Sequence, residues 1–137
     1  MKRKICFILA LILACSSVFS TTALASDIAL CNNNTMAASM IFTISDTGLA
    51  RITLNYEGYQ NITTGATITV KIEKRNMLIF WSDVVEDVIT VNGDSYYESL
   101  SYQLDKTGTY RCTVEYVVSG TGGADDVLTF EDTKTYG

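Results

Sequence analysis

From Met40 onward apolar and polar residues alternate with a period of two, the pattern of strands that bury one face and wet the other. Met40, Phe42 and Ile44 alternate with small or polar residues up to a turn at Ser45-Asp46-Thr47-Gly48. Ala50, Ile52, Leu54 and Tyr56 then alternate with Arg51, Thr53, Asn55 and Glu57. Beyond a Gly/Asn/Thr-rich connection, Ile68, Val70 and Ile72 form a third inward row that ends at the turn-like Lys74-Arg75-Asn76, and a strand rich in large apolar groups is predicted over Met77 to Trp81. Asn92-Gly93-Asp94 is a strong turn signal, because Asn and Gly tolerate positive φ. Leu100, Tyr102 and Leu104 form one later row. Tyr110, Cys112, Val114, Tyr116 and Val118 form the clearest row in the chain. A flexible tip over Ser119 to Gly123 is expected to close a hairpin onto Val127 to Thr133, with Leu128 and Phe130 inward. About seven short strands and no sustained helical period define an all-β, antiparallel sandwich.

The first 25 residues break this pattern. Lys2, Arg3 and Lys4 precede an unbroken apolar run from Ile5 to Ala14, and Ala23-Leu24-Ala25 offers a small-x-small cleavage site, so residues 1–25 read as a secretory signal peptide cut between Ala25 and Ser26. Ile12-Leu13-Ala14-Cys15 loosely resembles a lipoprotein cleavage box; lipid anchoring at Cys15 is the alternative processing. The expected organisation is therefore a signal peptide at 1–25, a loose N-terminal segment at 26–38 and one domain at 39–137. The expected location is extracellular, and no later apolar run has the roughly 20 residues of a transmembrane helix.

Excision changes the charge and cysteine inventory. The whole chain of 137 residues carries ten Lys and Arg against fifteen Asp and Glu, a net charge of −5; without the leader seven cations remain and the net charge is −8. Those cations are scattered, which argues against nucleic acid as a partner. Cys6 and Cys15 leave with the leader. Cys31 and Cys112 remain, an even pair that an exported protein would use as a disulfide, worth about 4 to 5 kcal/mol by chain entropy if formed.

Gly108-Thr109-Tyr110-Arg111-Cys112 is similar to the sixth-strand signature of immunoglobulin-like domains, in which a Tyr two residues before a Cys makes a tyrosine corner, and Trp81 resembles the core Trp of that fold. Tyr56 stands where the second-strand Cys of that fold would be, so the resemblance implies no inter-sheet disulfide, and a Cys31 to Cys112 bond would tie the N-terminal segment to the core. With Ile44-Ser45-Asp46-Thr47-Gly48-Leu49-Ala50-Arg51-Ile52, Ile72-Glu73-Lys74, Phe80-Trp81 and Glu115-Tyr116-Val117-Val118, residues 39–133 resemble small secreted immunoglobulin-like or fibronectin-III-like proteins of Gram-positive, clostridial-type gut bacteria. The resemblance implies fold and export and assigns no common activity.

The chain has no histidine, which removes the commonest general base and the Ser-His and Cys-His nucleophile pairs. Asp83, Glu86 and Asp87, and Asp125 with Asp126, are close in sequence. They read as a solvated rim ahead of a glycosidase pair or a loop-end calcium site. No cofactor or metal is expected. Tyr56, Tyr102, Tyr110 and Tyr116 fall on inward registers. Tyr59, Tyr96 and Tyr97 are the candidates for a contact surface, since adjacent Tyr96 and Tyr97 must face opposite ways. The expectation is a secreted, non-enzymatic recognition, adhesion or surface-associated module, with an extracellular protein or glycan as partner. A carbohydrate-binding module using exposed tyrosines is the alternative, and a small glycan-active enzyme or inhibitor ranks below both.

Overall fold

The structure is a computed structural model that describes residues 32–137. The leader, the processing alternatives at Ala25-Ser26 and at Cys15, and Cys31 lie outside those residues. Seven strands follow one another: β1 (Thr35–Ile44), β2 (Leu49–Gly58), β3 (Thr63–Asn76), β4 (Phe80–Asn92), β5 (Ser95–Gln103), β6 (Gly108–Gly120) and β7 (Asp126–Tyr136). Every pairing is antiparallel, in one sheet of order β1-β2-β5 and a second of order β4-β3-β6-β7. This is an immunoglobulin-like β-sandwich. In the constant-type arrangement the fourth strand joins the fifth; here β4 pairs with β3 instead, so the larger sheet has four strands and β4 is its edge.

The inward rows of the two sheets make one core. Ala50, Ile52, Leu54 and Tyr56 on β2 face Ile68, Val70 and Ile72 on β3 and Tyr110, Cys112, Val114, Tyr116 and Val118 on β6, all essentially without solvent contact. Register keeps these rows aligned: Ile52 pairs with Leu100, and Ile68, Val70 and Ile72 pair with Tyr116, Val114 and Cys112. A slip of one residue would turn each row to water. Three aromatics interlock at the centre, Tyr116 standing edge-on to Tyr56 at 6.4 Å and to Phe130 at 5.8 Å between ring centroids.

Tyr110 forms the expected corner. It lies two residues before Cys112, and its hydroxyl donates to the carbonyl of Lys106 at 2.5 Å, fastening the β5–β6 loop to the start of β6. At the β1–β2 turn Gly48 has φ +79°, and a Cβ there would stand 2.7 Å from the ring of Tyr136 and 2.9 Å from the carbonyl oxygen of Leu104; backbone conformation and close packing both require glycine.

Three expectations are corrected. The segment ahead of residue 39 is not loose where it is described, because β1 begins at Thr35 and Asn34 is fully buried. Asp126 accepts the N–H groups of Asn33 and Asn34 at 2.8 and 2.7 Å. The Asn34 side chain in turn donates to the carbonyls of Ala124 and Val118 and accepts from the N–H of Gly122. The 119–123 segment is thus held by Asn34 rather than free. Third, Trp81 is outside the core: it lies on the outer face of β4, and buried Tyr56, Tyr110 and Tyr116 supply the large interior rings. Among the described residues every core residue and strand falls between Asn34 and Tyr136, so a chain beginning at Ser26 retains all of them.

Candidate functional site

Met77, Leu78 and Ile79 form the turn between β3 and β4, not the strand their apolarity predicts, and with Phe80 they are the most exposed run of large apolar side chains among the described residues, at 87, 88, 75 and 61% exposure. The local sequence explains the shape. Ile72 is the last inward residue of β3, and an irregularity between Ile72 and Glu73 shifts the β3–β4 register there. The ladder from β3 to β6 stops at Lys74 opposite Tyr110, whereas the β3–β4 hairpin continues for two rungs, Arg75 with Trp81 and Asn76 with Phe80. Those rungs and the turn lie beyond the last paired rung of β3 with β6. Met77 has φ +60°, a left-handed conformation that costs a non-glycine residue on the order of 1 kcal/mol. Four hydrophobic side chains at the end of an unsupported hairpin contribute nothing to the core.

The base of the hairpin is fixed by charge and ring stacking. The guanidinium of Arg111 lies 4.4 Å from the centre of the Trp81 ring and that of Arg75 lies 5.6 Å from it. Arg111 also donates through Nε and Nη2 to one Glu73 oxygen at 2.9 and 2.7 Å, and Lys71 pairs with Asp83 at 2.9 Å. The Asp83 hydrogen bond, ahead of an opposing desolvation effect, raises the Lys71 ammonium above its ordinary range. Lys74, Arg75 and Lys106, by contrast, have no carboxylate within 4.0 Å among the described residues. Lys74, Lys106 and Asp105 line an open depression beside the hairpin with Asn76, Val84 and Tyr110.

Of the tyrosines nominated from sequence, Tyr96 and Tyr97 face opposite ways. Tyr97 is 74% exposed on the outer face of β5, whereas Tyr96 turns back and packs against the core. Burial, with a hydrogen bond to Glu98, pushes the Tyr96 hydroxyl up to about 12. Tyr59 sits in the β2–β3 loop, its N–H bonded to Thr63 Oγ1 at the Asn34 end of the sandwich, opposite the Met77–Phe80 turn. Of the acidic groups, Asp83, Asp87 and Asp126 have structural partners. Asp87 accepts from the Tyr102 hydroxyl at 3.0 Å, and Asp126 holds the start of β1. Among the described residues no three or more Cys, Asp or Glu side chains gather as metal ligands would.

Cys112 is wholly buried on β6, and its proposed partner Cys31 lies outside the described residues. Burial first, and Asp132 second, push the Cys112 thiol up to about 12, so at pH 8 almost none is thiolate. With reductant present, iodoacetamide is expected to leave Cys112 unmodified in the native protein and to label it fully in urea. Peptide mapping reads the result, and native labelling at the urea rate would contradict this burial.

Comparison with protein-family models, with curated proteins and with solved structures found no match to this chain. The class is therefore set by the fold, an immunoglobulin-like sandwich bearing one apolar hairpin tip. Sequence alternation missed the tip by treating Met77 to Trp81 as a buried strand. The available signal was that this run does not alternate and directly follows Lys74-Arg75-Asn76.

Proposed function

We propose that this protein is a secreted, non-enzymatic recognition module that attaches through the Met77–Phe80 tip. The observation that carries the reading is the tip itself, four successive large apolar side chains more than half exposed. Soluble proteins tolerate scattered exposed apolar residues, but a contiguous group on a hairpin turn marks an attachment site. Burying the four would contribute roughly 6 to 12 kcal/mol gross, before the costs of association are subtracted. The tip outranks the tyrosines as the contact element because Tyr96 packs against the core and Tyr97 is the most exposed ring of the three, against four successive exposed apolar side chains at the tip. The leader supports export, and the lack of histidine supports a role without acid-base catalysis.

The test compares the chain beginning at Ser26 with its M77S/L78S/I79S/F80S variant for co-sedimentation with isolated cell envelopes. The parent is expected in the pellet and the variant in the supernatant, with unchanged melting temperature because none of the four residues packs in the core. Equal sedimentation of the two would overturn the assignment.

A further inference from the structure

We propose that the tip's partner is the headgroup and acyl boundary of an anionic lipid bilayer, into which Met77, Leu78, Ile79 and Phe80 insert while Lys74, Arg75 and Lys106 remain among the phosphates. This rests on the tip being the attachment element and names what it attaches to. Exposures of 61 to 88% mean that the four side chains pack little on one another or on the rest of the domain, so each has most of its apolar surface available for burial. A fluid hydrocarbon phase accepts each side chain wherever it points, and affinity follows the apolar area buried plus the attraction of basic residues to anionic lipid.

The surroundings are ordered as an interface requires. Beyond the apolar turn comes Trp81, an aromatic side chain suited to the depth of the headgroups, with two guanidinium groups on its ring. Around the same end stand Lys74, Arg75 and Lys106, without ion-pair partners among the described residues, whereas neighbouring Glu73 and Asp83 are engaged by Arg111 and Lys71. Asp105 is the carboxylate that shares the depression with Lys74 and Lys106, and two cations outweigh it there. The chain's negative net charge does not oppose this docking at close range, because at physiological salt a field decays over about 8 Å and the local groups dominate.

Trp81 is the sole tryptophan and sits at the base of the tip, so its fluorescence reports the event without a label. The chain beginning at Ser26 is titrated with vesicles of phosphatidylcholine alone or mixed with phosphatidylglycerol, with and without bromine on the acyl chains. The mixed vesicles are expected to shift Trp81 emission to the blue, and the brominated ones to quench it. K74S/K106S, which leaves the Trp81 stack intact, is expected to weaken binding about 10- to 30-fold at low salt, an effect that high salt removes. L78D should weaken it at least about tenfold at any salt, and M77S/L78S/I79S/F80S should abolish it. Unchanged emission with anionic vesicles would overturn the lipid assignment, as would a full response from the tetra-serine variant. A shift that depends on protein concentration without lipid would overturn it in favour of a second copy of this chain. If vesicles fail while envelope sedimentation still requires the tip, the recognition reading stands with a protein partner and only the bilayer falls.

Discussion

Replacing Tyr116 by alanine is expected to lower the unfolding free energy by about 3 to 5 kcal/mol, the range for truncating a large buried aromatic side chain. Tyr116 has no solvent exposure, touches Tyr56 and Phe130 edge-on, and pairs in register with Ile68, so the vacated volume opens between the sheets where neither can collapse onto it. Its hydroxyl also donates to the Ser39 carbonyl on β1 at 2.8 Å, joining the two sheets. Tyr116→Phe separates the contributions. It keeps the ring and loses that bond, at a cost of about 1 kcal/mol. Urea denaturation of both variants measures the difference, and a ΔΔG below that of Tyr116→Phe for the alanine variant would refute the packing account. Domains of this kind have about 5 to 15 kcal/mol in total, so Tyr116→Ala stands near the threshold of folding at 37 °C.

The second large effect belongs to Asp126. Burial, the largest single influence, would raise its carboxyl, but the N–H groups of Asn33 and Asn34 together with Thr35 outweigh burial and hold it below the ordinary carboxylate range. Asp126→Ala leaves two backbone donors without their charged acceptor and should cost about 2 to 4 kcal/mol at pH 7. A carboxyl whose folded pKa is depressed stabilises the fold above its unfolded pKa of about 3.9 and loses that contribution as pH falls through the lower folded value. Parent and Asp126→Ala stabilities should therefore converge on acidification below about pH 4. Denaturation curves at pH 7, 4 and 2.5 check this, and a gap that stays constant over that span would rule out the ionised carboxylate as the cause.

The core was legible because alternation is a direct record of which face is buried. Each inward row read on β2, β3 and β6 is found inside, and the Tyr110 corner is formed as the resemblance to immunoglobulin-like domains implies. What escaped the pattern was set by tertiary contacts. Asn32-Asn33-Asn34 looks like loose material, yet Asp126, 92 residues beyond Asn34, fixes the backbone of Asn33 and Asn34 just ahead of β1. Trp81 resembles the core Trp of the immunoglobulin fold, but the register of β3 against β4 sets it opposite Arg75 on the outer face. The tip was hidden for a different reason: hydrophobicity alone predicts burial, and Met77 to Phe80 are exposed because the hairpin outruns the ladder that would have covered them. Tyr59, Tyr96 and Tyr97 were nominated from strand parity, which separates the faces of Tyr96 and Tyr97 correctly but carries no information on whether the three share a surface.

The order of the strands also gives the domain a direction. Asn34 is fastened beside Val118 at one end, while the Met77–Phe80 turn, the start of β6 and Tyr136 lie at the other, separated by the 13 residues of β6, about 40 Å of strand. The described chain thus enters the sandwich at the end away from the tip. Cargo or an affinity tag fused after Gly137 would instead emerge beside Thr107, on the same end as the tip, and would crowd whatever the tip meets.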